Sequence, residues 1–266
     1  MAANLPQSES KPVDEPVIYE LEGAVAWMTL NRPATRNALN QEIRDALWDG
    51  FRRFRDCPES SVLVLTGRGE RAFCAGGDLK EMATTGMQVP PDDYLPYLGR
   101  SVITNKPVIA AVNGDAFGGG FLLTQMADLC IAADHARFGI PEARWGRGSP
   151  WAAPLPWLIP PRIALEMILT GQPIDAARAQ SAGLVNTVIP AADLLTEARQ
   201  LAQQIAANAP LSVQAGKAMV YSAADLGWQE ALDQADRLYQ PVYLSEDAQE
   251  GPRAFRERRP PRWLGR

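Results

Sequence analysis

The chain is 266 residues long, 46% apolar and 21% charged, a composition that excludes a disordered chain and supplies a sizeable core. Its 26 basic and 31 acidic residues leave a net charge of −5, which gives nucleic-acid binding no electrostatic support. The single histidine, His135, removes most zinc and haem schemes. Cys57, Cys74 and Cys130 are odd in number and widely spaced, so neither a disulfide framework nor a redox pair is expected, and a cytoplasmic setting fits.

Residues 1–16 are polar and acidic, and are expected to form a loose tail that is neither signal peptide nor anchor. No run of eighteen apolar residues occurs, so no membrane span is expected. Ordered structure is predicted to begin near Val17, with a hairpin from residues 17–22 and 24–30 around Gly23. Asn40 then caps a helix whose apolar positions Ile43, Ala46, Leu47, Phe51 and Phe54 recur at helical spacing. Residues 61–66 and 108–112 are short β-branched runs, each followed by a glycine, and read as buried strands. A helix after Gly120 leads into strand-like residues 129–133 and 137–139. Strand pairs thus alternate with helices in three passes, without a clean sequence period. From Ala191 the strand signal fades. Leu194, Leu195, Ala198, Leu201, Ala202 and Ile205 make one helical stripe, and residues 228–239 form a further helix. The prediction is an α/β chain with a core over 17–190 and a helical region over 191–266.

Two glycine-bearing segments carry the candidate chemistry. Residues 73–82 contain Gly76, Gly77 and Asp78, and residues 113–122 contain Gly118, Gly119 and Gly120; each follows a predicted strand. Glycine at a strand-to-helix junction lets the backbone approach a ligand closely, and the helix start adds partial positive charge. Two such junctions aiming one N–H each at a single oxygen would make an oxyanion hole; ordinary turns are the competing reading. Neither segment matches a dinucleotide fingerprint or carries a Walker lysine–serine pair, which disfavours a nucleotide loop.

Asn31-Arg32-Pro33 with Asn37-Ala38-Leu39, the two glycine segments, and Phe138-Gly139-Ile140-Pro141-Glu142 together resemble the enoyl-CoA hydratase/isomerase (crotonase) family. The resemblance continues through Leu169-Thr170-Gly171, Ala182-Gly183-Leu184-Val185-Asn186, Ser245-Glu246-Asp247, Glu250-Gly251 and Phe255, and so spans residues 17–266. It implies a crotonase-like spiral of ββα units with a helical C-terminal oligomerisation region building trimers or hexamers. It also implies an acyl-CoA thioester substrate and an enolate stabilised at the thioester oxygen by the N–H groups of Gly77 and Gly119. By the same matching Ala75, Asp78, Leu79 and Lys80 line the substrate site, and Arg36 touches the CoA moiety. Neither metal nor cofactor is implied, coenzyme A being part of the substrate. Asp78, one residue past Gly77, is expected to hold its loop by local hydrogen bonds.

Hydratases of that family use two glutamates. One of those positions is Glu142 here; the other is Leu122. Adding water needs a held, deprotonated water and a proton delivered to the α-carbon, work that two carboxylates share. Moving a double bond needs one base that carries a proton between C4 and C2, and the family's isomerases commonly keep the second glutamate alone. Double-bond isomerisation is therefore expected, with burial beside Leu122 raising the pKa of Glu142. The alternatives are hydration with a substitute acid/base, Ser149 orienting the water, and a catalytically weak acyl-CoA-binding homologue. An ion pair with Arg144 is the competing role for Glu142.

Arg147-Gly148-Ser149-Pro150-Trp151, with Pro154, Pro156, Pro160 and Pro161, is expected to form a stiff, irregular wall. Trp145, Trp151 and Trp157 lie near it, as packing or as a boundary of the acyl pocket. The C-terminal arginines 253, 256, 258, 259, 262 and 266 read as a solvated tail, with contact to the CoA 3′-phosphate as the alternative. Residues 84–97 show no readable pattern, and the acyl chain is not identified.

Overall fold

The computed structural model describes residues 15–266, so residues 1–14 of the expected N-terminal tail lie outside the described residues. Strands β1 (Val17–Glu22) and β2 (Val25–Leu30) form the expected antiparallel hairpin, turning at Gly23 with φ +59°. Helix α1 (Gln41–Asp56) starts where Asn40 accepts a hydrogen bond from the Ile43 N–H, and it buries Ile43, Leu47, Phe51 and Phe54 completely.

Three strand–strand–helix passes follow. The first holds β3 (Val62–Gly67), β4 (Ala72–Cys74) and α2 (Leu79–Thr85); the second holds β5 (Val108–Val112), β6 (Asp115–Phe117) and α3 (Gly119–Gln125). The third opens with β7 (Leu129–Ala133) and β8 (Arg137–Gly139) and continues through 3-10 turns at Pro141–Trp145 and Pro150–Ala152 to α4 (Leu155–Leu158) and α5 (Pro161–Thr170). Then come β9 (Ile174–Asp175), α6 (Ala176–Ala182) and β10 (Thr187–Ile189). In each pass the first strand joins a six-stranded sheet, ordered β1-β2-β3-β5-β7-β10, and the second joins a four-stranded sheet, ordered β4-β6-β8-β9. The successive additions are parallel (β2 to β3, β3 to β5, β5 to β7; β4 to β6, β6 to β8), which winds the chain as a ββα spiral. Every residue of β3 and of β5 is buried, which is why both strands read as continuous apolar runs.

The chain ends in α7 (Leu194–Ala206), α8 (Pro210–Ala223), α9 (Trp228–Leu244) and α10 (Glu246–Glu257). Most of the apolar stripe of α7 is covered within the chain: the helix packs on β2, β3, β5 and β7 and buries Leu194, Ala198 and Ala202, while Leu195 stays exposed. Uncovered apolar surface is prominent on α9, which buries none of its residues and leaves Trp228 85% and Leu244 80% exposed.

The C-terminal segment is not a loose tail, although all of its six arginines except Arg259 stay exposed. The Asp247 carboxylate accepts the Leu264 and Gly265 N–H groups, and Glu250 accepts the Arg262 N–H and the Arg259 guanidinium. The last residues therefore fold back along α10, and Trp263 donates to the Ala207 carbonyl at 2.7 Å. The proline-rich stretch is more regular than expected. Pro150 and Pro161 each open a helical turn, where a missing N–H costs nothing.

Candidate active site

The two glycine segments meet because β4 and β6 are parallel neighbours. Gly76 (φ +91°) and Gly118 (φ +55°) adopt backbone that favours glycine. A Cβ built on Gly76 would stand 2.8 Å from the Phe117 carbonyl oxygen, and one on Gly118 would stand 3.7 Å from Gly76 Cα. A Cβ on Gly120 would fall 2.2 Å from the Cys74 carbonyl oxygen, so this position too admits only glycine without a backbone shift. The Asn31–Leu39 motif serves the same junction. Fully buried Asn37 (φ +54°) donates through Nδ2 to the carbonyls of Arg68, Ala72 and Phe73, and its Oδ1 accepts the Arg32 N–H. Leu39 bridges to Gly77, donating to the Gly76 carbonyl at 2.8 Å and accepting from the Asp78 N–H at 3.3 Å.

Gly77 and Gly119 are both half-buried, and among the described residues neither N–H is donated to another protein group. For Gly119 this follows from its place as first residue of α3, where no intrahelical acceptor exists. Two unused donors thus flank Leu39, whose side chain lies 2.6 Å from where a Gly119 Cβ would be.

Glu142 stands in the 3-10 turn that follows β8, with Oε1 placed 2.9 Å from where a Gly118 Cβ would be. Its Oε2 is buried without a hydrogen-bond partner. Burial pushes its pKa up from 4.5 to about 7, outweighing a lowering backbone hydrogen bond. The alternative pairing with Arg144 does not form among the described residues; the Arg144 stem lies against Gly171 instead. Leu122, on the first turn of α3, is 3% exposed, so the position of the family's other glutamate is apolar here.

The remaining sequence-predicted residues divide. Asp78 caps α2 by accepting the Lys80 and Glu81 N–H groups and lies 3.4 Å from Arg32, so its carboxylate holds the loop as expected. Ala75 donates its N–H to the Arg36 carbonyl. Arg36, Leu79 and Lys80 are exposed at the same rim, and Arg36 makes no ion pair among the described residues. Of the three tryptophans, Trp145 and Trp157 point to solvent, while Trp151 packs 6.0 Å from the Phe121 ring and accepts a hydrogen bond from Gln125 through its carbonyl.

Sequence reasoning missed Met82, Tyr94 and Leu95. Met82 Cε sits where a Gly77 side chain would go, with Tyr94 Oη 3.5 Å from the same point, and Leu95 Cδ1 lies 3.2 Å from where a Gly119 Cβ would be. They come from residues 79–97, which are organised by contacts remote in sequence, among them the Arg44–Glu81 ion pair, with Arg44 4.4 Å over the Tyr94 ring, and Trp48 on the Asp93 carbonyl; no local pattern signals them. A separate groove of about 450 Å³, lined by residues including Trp27, His135, Leu194 and Arg199, contains none of these groups.

A ββα spiral whose glycine junctions meet beside the half-buried Glu142 carboxylate defines an α/β protein with two unspent backbone donors at one site. The sequence pattern described as Enoyl-CoA hydratase/isomerase matches residues 20–266. A carnitinyl-CoA dehydratase of Salmonella arizonae is 42% identical over 91% of this chain and 96% of its own. The crystal structure of an enoyl-CoA hydratase from Mycobacterium tuberculosis is 36% identical, with TM-score 0.87, covering 95% of this chain and 100% of that one. An enoyl-CoA hydratase from Mycobacterium marinum is similar at 36% identity and TM-score 0.86, over 95% of this chain and 100% of its own. The chain belongs to the enoyl-CoA hydratase/isomerase, or crotonase, family of acyl-CoA thioester enzymes.

Proposed function

We propose that this enzyme shuttles a proton on the enolate of an enoyl-CoA thioester, with Glu142 as the single base, and moves a double bond in preference to adding water. One observation carries the reading: Glu142, half-buried and with a raised pKa, is aimed at Gly118 with Oε2 unpartnered, whereas the neighbouring Asp78 is spent on capping α2 and on Arg32, and Leu122 occupies the other glutamate position. The thioester oxygen accepts the N–H groups of Gly77 and Gly119, which strengthen as negative charge develops there. Glu142 breaks one C–H bond, taking the proton, and the electron pair delocalises into a dienolate. The same carboxyl then returns the proton at the other end of the allylic system, leaving the double bond shifted and the base regenerated. A carboxyl with pKa about 7 suits both halves of that cycle. Ala75, Leu79, Lys80 and Arg36 supply the rim against which the CoA moiety lies. The reaction as written uses no metal or separate cofactor, and we extend the proposal to a cytoplasmic trimer or hexamer.

Hydration is the second reading, favoured by the names of the relatives, a carnitinyl-CoA dehydratase among them. The half-buried Ser149 would then orient the water. The ratio of 3-hydroxyacyl-CoA to shifted enoyl-CoA formed from one 3-enoyl-CoA separates the two. Shifted enoyl-CoA is expected to dominate, and Leu122→Glu is expected to raise the hydroxyacyl share. Efficient hydration of a 2-enoyl-CoA with Leu122 in place would overturn the isomerase preference. Thioester binding without any solvent-deuterium exchange would identify a binding homologue. Among the described residues no helix is long and apolar enough to cross a membrane, and no cluster of three or more His, Cys, Asp or Glu residues is placed to hold a metal.

A further inference from the structure

We propose that the Tyr94 hydroxyl is a third hydrogen-bond donor to the thioester oxygen, beside the Gly77 and Gly119 amides; this rests on the acyl-CoA reading above. Consecutive residues address the two glycines: Tyr94 Oη lies 3.5 Å from where a Gly77 Cβ would be, and Leu95 Cδ1 3.2 Å from where a Gly119 Cβ would be. One short segment therefore presents a polar atom to the first junction and closes the second with hydrocarbon.

The segment is held from behind. Trp48 of α1 donates to the Asp93 carbonyl at 2.8 Å. Arg44, on the same helix and 5% exposed, is clamped by the Leu39 carbonyl, Gln41 Oε1 and Glu81, and its guanidinium carbon stands 4.4 Å over the Tyr94 ring. That guanidinium also donates to Tyr94 Oη at 3.4 Å. The phenol oxygen is thus used as an acceptor, while its own O–H is donated to no protein group among the described residues. A half-buried hydroxyl with an unspent donor calls for an acceptor, and the site's ligand supplies one. Burial raises the Tyr94 pKa; Arg44 and Arg147 lower it by less and Glu81 raises it further, so the proton stays on through neutral pH. A donor of this kind does not transfer its proton. It shares the charge that forms on the oxygen when Glu142 takes the carbon-bound proton.

The test uses the full-length enzyme and butanoyl-CoA labelled with ¹³C at the thioester carbonyl, which binds without a double bond to move. Infrared difference spectra are expected to show the bound wild-type carbonyl at lower frequency than in water. Tyr94→Phe should return part of that shift. It should also lower kcat for double-bond movement by about 10-fold to 100-fold with KM nearly unchanged, as loss of a donor used mainly in the transition state requires. Site-specific 3-fluorotyrosine at position 94 keeps the ring and strengthens the donor, and should deepen the shift even if the Phe variant folds poorly. Tyr97→Phe should leave the carbonyl unchanged. An unaltered carbonyl frequency in both Tyr94 variants would overturn the assignment and leave the acyl-CoA reading standing. Failure of the wild type to bind butanoyl-CoA would overturn both.

Discussion

A carboxyl with one buried oxygen left without a partner resists ionisation, and the consequence for Glu142 is measurable in two ways. Its pKa rises from 4.5 to about 7, so ionisation is harder in the folded chain than in the unfolded one. Below pH 4.5 the group is protonated in both states and carries no penalty. As pH rises from 4.5 towards 7 the native state holds the proton longer, and stability falls until the full penalty is reached above about 7. Glu142→Gln should remove that slope and gain up to about 3 kcal/mol over wild type on the alkaline side, read by urea unfolding across pH. Activity runs the opposite way, because the base works only when ionised: kcat/KM should climb through pH about 7. The same variant should lose about 10²-fold to 10⁴-fold in deuterium exchange while still binding the CoA thioester. Gly119→Pro offers a complementary test. The first position of a helix lacks an intrahelical acceptor, so the substitution deletes an N–H that α3 does not use. Its ring would press on Leu39 and Leu95 and could distort the turn at Gly118, so circular dichroism must first show the variant folded. Loss of about 2.7–4 kcal/mol of transition-state stabilisation is expected from kcat, and a folded variant with full turnover would remove Gly119 from the mechanism.

At the scale of elements, the site depends on how closely α3 approaches β4. Gly120→Ala would place a methyl group 2.2 Å from the Cys74 carbonyl oxygen, where backbone must move. Destabilisation of about 1–3 kcal/mol or more is expected, visible as a lower melting temperature, together with reduced exchange because Gly119 shifts with the helix. The elements themselves were readable where one local rule sufficed. Alternation around Gly23 marked the hairpin, Asn40 marked the start of α1, and the apolar runs marked β3 and β5. The segment carrying Tyr94 and Leu95 was not readable, because it is ordered by Trp48 and Arg44, 45 and 50 residues away in sequence. Helical spacing in α7 was legible, but not what covers it: periodicity reports that a face is apolar, and only the sheet's position decides that the partner is intramolecular.

For the whole molecule, the helical C-terminal region joins the spiral through the packing of α7 on the sheet and through Lys217, which pairs with Asp128 at 2.8 Å and donates to the Lys106 carbonyl. Helix α9 packs on α8 yet buries no residue, leaving Trp228, Leu232, Tyr243 and Leu244 exposed. A 17-residue helix with that much exposed hydrocarbon is the surface on which the proposed trimer is expected to form. Light scattering should report a trimer or hexamer, and Tyr243→Glu with Leu244→Glu should lower the mass while leaving the far-ultraviolet spectrum unchanged. A wild-type monomer at micromolar concentration would remove the proposal.

The sequence by itself determined the alternation of strands and helices, the family, the paired glycine junctions and the lone Glu142, because each is written in residue type and spacing along the chain. Tertiary structure decided that Gly76 and Gly118 touch and that Glu142 Oε1 faces Gly118. It also decided that Asp247 and Glu250 hold the chain end at residues 262–265, and that Tyr94 stands beside Gly77. These are distances between residues remote in sequence. Parallel pairing of β4 with β6 sets the first, and the clamp of α1 on residues 81–94 sets the last; no local pattern encodes either.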